Sequence, residues 1–396
     1  MGAHGTVRPE PVASSVPTLD AWKALETPAG SALLARCAEL DLRHPGSIQS
    51  LRAGFDRGLV EAAIELTLAR RAAVEKFGQA AGHLWADRAG VEMASSPAAA
   101  AHKAARFASL GVGHPVHDLC CGIGADATAL VRAGLEVTGV DRDEIRAWMC
   151  ARNAECRVKT ADVATMRDVA AFHIDPQRRH GGQRRVPRLE DLEPNLDVVR
   201  SLIEGSQAGC VKLFPGVAFD PLPPGEIEVL SERGRLRQVL LWTGRLARHE
   251  RSATVLDAGA TLTGKPAPAP IGAIGPIVHT LDPAVERAQL IGALAATTGL
   301  TTPHGASGLL TGERVVTSPF LKAYRCIEQM PWSIAKVRRR LQELDAGIVS
   351  IKTRGGAVDP DRLQAQLRGK GARPFVLFVQ RFGERMVCLI CEPVVR

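Results

Sequence analysis

The chain has 396 residues, 45% of them hydrophobic and 23% charged, with 50 Lys+Arg against 42 Asp+Glu and a formal net charge of +8. That length suits two or three domains, and the balance excludes a disordered or collagen-like chain. No apolar run approaches the ~20 residues that cross a bilayer, and the N-terminus lacks the charged flank and apolar core of a signal peptide, so no membrane is expected.

The basic excess points only mildly to a polyanionic partner, and basic clusters carry more weight than the sum. Nine cysteines show no disulfide pattern. Cys388 and Cys391 form a lone CxxC without two further ligands nearby. Buried free thiols in a reducing cytoplasm, with no metal, are therefore expected.

Residues 1 to about 18 are rich in Gly, Pro and Ser and read as a disordered N-terminus. A helical domain over 19–95 follows. In it Leu33, Leu34, Cys37 and Leu40 recur at helical spacing, as do Ile64, Leu66, Leu68 and Val74, and Pro28 and Pro45 punctuate the pattern. Ser96 suits a helix cap with Pro97 in the first turn, opening a helix to Leu110.

From there strands and helices alternate to about residue 263: strand 116–119, helix 125–133, strand 136–141, helix 143–154, strands 157–160 and 169–174, helix 192–204, strand 209–214, and a hairpin of 226–231 with 235–242. This order argues for an α/β domain on a parallel sheet, over 96–263, with the terminal hairpin supplying one antiparallel strand. Residues 264–276 alternate Gly, Pro and Ala and read as a linker or extended crossing segment. Beyond it, 277–396 reads as an α+β domain: helix 283–298, helix 333–345, strand 347–352, helix 359–369, and a hairpin of 374–381 with 385–391. Trp22, Trp148 and Trp332 are expected in cores.

The stretch Val116-His117-Asp118-Leu119-Cys120-Cys121-Gly122-Ile123-Gly124-Ala125-Asp126 reads as a strand, a glycine turn and the start of a helix. Gly122 and Gly124 let backbone approach a ligand, at the strand end where open α/β sheets bind small molecules. Cys120 and Asp126 lie in the same turn. Asp141 ends the second strand, placed for ribose hydroxyls, with Arg142 beside it; Asp162 follows the third, where an adenine amine is expected.

A pyrophosphate is poorly served by Asp118 at the tip of the first strand, which disfavours a dinucleotide. A cation is well served, and S-adenosylmethionine carries an ammonium and a sulfonium and no phosphate.

On these residues the chain resembles the class I S-adenosylmethionine-dependent methyltransferases across about 85–245. It is most similar to a bacterial subset with a C-terminal THUMP-like domain. Leu84-Trp85, Glu92 to Ser96 and Ala101 to Phe107 look like that subset's segment ahead of the glycine motif, and trimethylguanosine synthase-type enzymes carry a similar helix. Ile351 to Gly355 and the helix before it resemble the THUMP-like part. The resemblance implies a Rossmann-like sheet. It also implies cofactor contacts at Asp118, Cys120, Gly122, Gly124, Asp126, Asp141, Arg142 and Asp162, with Ser95 or Ser96 near the methionine end.

After the fourth strand comes Asp175-Pro176-Gln177-Arg178. Methyltransferases of base amines usually carry an acid or amide, two prolines and an aromatic there. This chain keeps Asp175 and Pro176 and substitutes Gln177-Arg178, a form similar to the THUMP-like subset. Asp175, Pro176 and Arg178 are the candidate catalytic residues, and an arginine plane can stack on a base.

Five arginines lie in the eleven residues 178–188. Arg179, Arg184 and Arg185 read as a phosphate clamp or as a solvated loop. Lys212 either reaches substrate or pairs a carboxylate. Lys336, Arg338, Arg339, Arg340, Lys352 and Arg354 form a second basic patch, and THUMP-like domains imply RNA.

The expectation is an S-adenosylmethionine-dependent methyltransferase acting on a base in structured RNA, tRNA or rRNA. The alternatives are a methyltransferase for a small molecule or protein, a catalytically silent RNA-binding protein and, more distantly, a nicotinamide dehydrogenase.

Overall fold

The computed structural model describes residues 17–111, 113–178, 189–305, 307–354 and 358–394. The expectation for the extreme N-terminus lies almost wholly outside them. The chain divides into two compact units, one ending at Ile174 and the other starting at Asp175.

The first unit opens with helices α1 (Leu19–Ala24), α2 (Pro28–Glu39), α3 (Pro45–Arg52), α4 (Arg57–Phe77) and α5 (Arg88–Met93). Thr18, Thr27, His44, Asp56 and Asp87 each accept a backbone N–H at a helix start, and Pro28 and Pro45 occupy first-turn positions where the missing N–H costs nothing. Leu33 and Cys37 are buried as their spacing predicts. On α4 the inward face differs from expectation. It is lined by Val60, Ala62, Ala63, Leu66, Ala69 and Ala73, while Val74 is 58% exposed. Small alanines let neighbouring helices come close, and a reading weighted to large side chains misses such a face.

Helix α6 (Pro97–Ala108) follows with Ser96 as its cap, and then β1 (Val116–Leu119), α7 (Ala125–Arg132), β2 (Val137–Asp141), α8 (Glu144–Ala154), β3 (Arg157–Thr160) and β4 (Ala171–Ile174). The four strands are parallel in the order β4-β1-β2-β3. The chain winds from β1 through β2 to β3 and returns with β4 on the other side of β1. The carboxyl ends of β1 and β4 therefore form a topological switch point, where such sheets bind ligands.

The second unit begins with the two-residue strands β5 (Gln177–Arg178) and β6 (Leu192–Glu193), paired antiparallel, and then α9 (Leu196–Gly205) and β7 (Ala208–Leu213). Helix α9 starts four residues later than expected because Leu192 and Glu193 pair in a strand and Asn195 caps the helix. Strands β8 (Glu226–Glu232), β9 (Arg235–Gly244), β10 (Arg251–Val255) and β11 (Ala260–Gly264) follow. The expected hairpin is β8–β9, with β9 antiparallel to both β7 and β8, while β10 is parallel to β8 and β11 antiparallel to β10.

A six-stranded sheet completes the unit in the order β13-β12-β14-β17-β16-β15. Its elements are β12 (Ile277–Leu281), α10 (Pro283–Arg287), α11 (Ile291–Thr298), β13 (Leu309–Gly312), β14 (Leu321–Pro331), α12 (Ile334–Glu343), β15 (Ala346–Thr353), α13 (Pro360–Leu367), β16 (Arg373–Phe382) and β17 (Arg385–Pro393). The single helix expected over 283–298 is two. Gln289 takes φ 63°, and the N–H of Gly292 donates to the Ala267 carbonyl at 3.0 Å instead of continuing a helical ladder. Val337, Leu341, Phe375, Leu377 and Cys388 sit in the core beneath α12 and α13.

Candidate functional site

In the first unit the glycine turn lies at the switch point. Cys120, Gly122 and Gly124 all take positive φ, at 56°, 54° and 79°. Two of the three are glycines because left-handed backbone costs an ordinary residue about 1–2 kcal/mol. At Gly124 an added Cβ would also meet Cys150 at 3.0 Å, whereas at Gly122 it would meet nothing within 4 Å. The turn is thus packed tightly against α8 at Gly124 and open at Gly122.

Asp141, at the tip of β2, is buried and accepts from the N–H of Gly122 at 2.9 Å and of Asp143 at 3.0 Å. Burial raises its carboxyl above the ordinary range, and the two backbone N–H groups oppose that shift. A carboxylate accepts about four hydrogen bonds, so capacity remains for ligand hydroxyls. Arg142 beside it is exposed. Asp162, also exposed, accepts from the Ala164 N–H at 2.8 Å and caps a short turn after β3.

Asp118 lies deeper than its sequence position suggested. It is 1% exposed, and its Oδ1 is 2.7 Å from His173 Nδ1, its register partner on β4. Its Oδ2 has no hydrogen-bond partner among the described residues. Desolvation raises this carboxyl, and the His173 hydrogen bond works against it.

Lys103 of α6, 2% exposed, joins the group. Its Nζ lies 3.3 Å from His173 Nε2, 2.9 Å from Ser95 Oγ and 2.6 Å from Asp126 Oδ1. Ser95 in turn donates to Asp126 Oδ2 at 2.8 Å. Three of the expected cofactor residues, Asp118, Asp126 and Ser95, therefore meet in one cluster. Ser96 serves the helix as a cap, accepting from Ala99 N–H. Lys103 and His173 were not among the residues expected at the site. The available signal was polarity out of place, a lysine among alanines on α6 and a histidine in an otherwise apolar strand.

Asn153 of α8 fixes the loop from outside. Its amide donates to the Ile123 and Trp85 carbonyls, both at 2.8 Å, and its oxygen accepts from Trp85 N–H at 2.9 Å. Arg146 pairs with Asp87 at 2.8 Å. The segment ahead of α6 is thereby tied to the glycine turn. The buried unpartnered oxygen of Asp118, the open face at Gly122 and the spare capacity of Asp141 suit a ligand that carries a ribose and a positive charge.

In the second unit Asp175 is half-buried and pairs with Lys212 of β7 at 2.5 Å. Lys212 thus takes the second of its two expected roles, holding a carboxylate. Pro176 is buried and Arg178 lies in β5. Arg179, Arg184 and Arg185 fall outside the described residues. Arg354 pairs with Glu286 of α10, and Lys352 is exposed on β15. Among the described residues no group of three or more His, Cys, Asp or Glu is placed to hold a metal ion, and no helix is long and apolar enough to cross a membrane.

Residues 321–393 match the family described as THUMP domain-like. Over 354 residues the chain is 32% identical to uncharacterized S-adenosylmethionine-dependent methyltransferases from two strains of Mycobacterium tuberculosis, CDC 1551 / Oshkosh and H37Rv, covering 83% of this chain and 96% of theirs. It shares its fold with the crystal structure of a proposed methyltransferase from Porphyromonas gingivalis W83, with a TM-score of 0.71, 19% identity, and coverage of 92% of this chain and 99% of that one. The α/β fold, the THUMP-like C-terminal region and the cofactor expected from the glycine turn agree with these relatives: the chain belongs to the S-adenosylmethionine-dependent methyltransferases.

Proposed function

We propose that this methyltransferase acts on a base in structured RNA, tRNA or rRNA. The observation that carries this reading is the THUMP-like stretch, 321–393, together with the charge it displays. Helix α12 buries Val337 and Leu341 and leaves Lys336, Arg338 and Arg339 exposed; Lys322 and Lys352 are exposed on the sheet strands β14 and β15. Phosphate contacts from such a face supply affinity without reading sequence. Free thiols throughout fit a reducing cytoplasm.

When bound, S-adenosylmethionine supplies an electrophilic methyl on a sulfonium and leaves as a thioether. The chain's part is placement. Asp141 receives the ribose, Asp162 and Arg142 border the adenine, and the turn at Gly122 and Gly124 admits the ligand close to backbone. Cys120, Asp126, Ser95 and Asp118 shape the methionine end. Asp175, held by Lys212, accepts a hydrogen bond from the acceptor amine and aims its lone pair, while Pro176 fixes the turn and Arg178 stacks on the base. In-line displacement gains most from such positioning. Arg179, Arg184, Arg185, Lys352 and Arg354 bind RNA phosphates, Arg354 after exchanging Glu286 for a phosphate.

The test is tritiated S-adenosylmethionine incubated with the full chain and fractionated RNA from a strain lacking it. Label is expected in tRNA or rRNA, and its incorporation should fall steeply with salt. Label confined to protein or small molecules, insensitive to salt, would move the substrate to that class. Donor binding with no transfer to any fraction would leave a silent binding protein.

A further inference from the structure

Ser95, Lys103, Asp118, Asp126 and His173 flank the glycine turn on both sides, and none is more than 7% exposed. One assignment satisfies their contacts. The Lys103 ammonium pairs with Asp126 and donates to Ser95 and His173 Nε2. Nε2 is therefore an acceptor, His173 is neutral, and its proton sits on Nδ1 and is donated to Asp118. A protonated His173 would aim an N–H at the Lys103 ammonium. Two carboxylates and one ammonium leave a single unit of negative charge in excess. Lys103 offsets Asp126, and the excess falls to Asp118, whose Oδ2 has no hydrogen-bond partner among the described residues.

We propose that this buried excess charge discriminates the charged methyl donor from its neutral product. Lys103 and His173 act as positioning residues that keep Asp118 ionised and oriented. S-adenosylmethionine and S-adenosylhomocysteine share the α-ammonium, carboxylate, ribose and adenine. They differ by the methyl and by the positive charge on sulfur. A contact to the ammonium or the ribose strengthens both ligands alike. A fixed charge in a poorly screened interior acts alike on the groups the two ligands share and, in the donor, on the sulfonium as well, so it favours the donor and eases release of the product. Because Asp118 Oδ2 is fully covered, the effect is one of field rather than of contact. The inference rests on the cofactor being held at this turn.

The test is isothermal titration of both ligands into the full-length chain, read as the ratio of the two affinities. Asp118→Asn keeps an acceptor for His173 and removes the excess charge. Donor affinity should fall about tenfold, or about 1.4 kcal/mol, while product affinity changes less than about threefold. Lys103→Met deepens the excess charge and should move the ratio the other way. Lys103→Arg keeps the charge and should leave it in place.

An unchanged ratio in Asp118→Asn, or a shift in the same direction in Asp118→Asn and Lys103→Met, overturns the proposal; the latter would mean simple damage to the site. Either charge-altering variant decides the sign if the other does not fold. Asp141→Asn tests the underlying reading through the two affinities and not through their ratio, because loss of a ribose contact weakens both ligands while the change also removes a second buried carboxylate. If Asp141→Asn weakens neither ligand, the ribose assignment fails, and the ratio still judges the field.

Discussion

Asp118 carries a stability prediction as well as a binding one. Burial lifts its carboxyl above the ordinary aspartate value, so the folded chain holds that proton more tightly than the unfolded chain does. Below about pH 3.9, the unfolded aspartate value, both states are protonated and the shift costs nothing. The cost grows as pH rises from there and is complete above the raised native value. Asp118→Asn should therefore raise Tm by a few degrees near neutral pH, with the gain vanishing toward about pH 4. Calorimetry across that range checks it, and a lower Tm at neutral pH would mean the carboxylate stabilises the fold. A second residue, Asn153, makes three hydrogen bonds to Trp85 and Ile123 backbone. Asn153→Ala strands those groups and should cost about 1–3 kcal/mol, read as a lower denaturant midpoint at unchanged slope. At Asp175, replacing its partner by Lys212→Met should lower methyl transfer on the order of 10²-fold through misplacement, with donor affinity intact.

At the scale of elements, what the sequence disclosed follows from distance along the chain. The glycine turn, Asp141 and the Ser96-Pro97 helix start depend on neighbours within a few residues, so their spacing displays them. Lys103 and His173 meet across 70 residues, and no local pattern announces that contact. Strand β14 escaped notice for another reason. Only Leu321 and Tyr324 along it are buried, so the alternation that marks a strand is faint. Strand β10 hides its burial in Ser252, Ala253 and Thr254, with Ser252 and Thr254 bonded to the buried Glu226 and Glu228. The break between α10 and α11 makes a prediction here. Gln289 adopts φ 63°, a conformation glycine takes freely, so Gln289→Gly should add about 1 kcal/mol of stability in urea titration. A loss would show that the Gln289 side chain is needed where it lies.

At the scale of the whole molecule the expected outcome concerns salt. RNA affinity should fall with ionic strength with a log–log slope of about −0.7 per phosphate contacted on a single strand. Changing Lys336, Arg338 and Arg339 together to alanine should weaken binding across RNA sequences and flatten that slope by about two, measured by filter binding at several salt concentrations. A slope unaltered by the triple change would remove α12 from the RNA face.

The second unit is stitched across the proline-rich stretch at 264–276. Arg287 of α10 donates to the Pro215 and Val217 carbonyls and stacks on Phe219, with 3.9 Å from guanidinium carbon to ring centroid. Ser231 of β8 bonds to Asp282, and Gly272 N–H reaches the Thr302 carbonyl. The loop that follows β7 is thus shaped by α10, which lies between β12 and β13. Removing the chain from β12 onward would take the Arg287 contacts away from the loop next to Lys212. Grafting the C-terminal half onto another enzyme would have to carry α10 and its receiving loop as one piece.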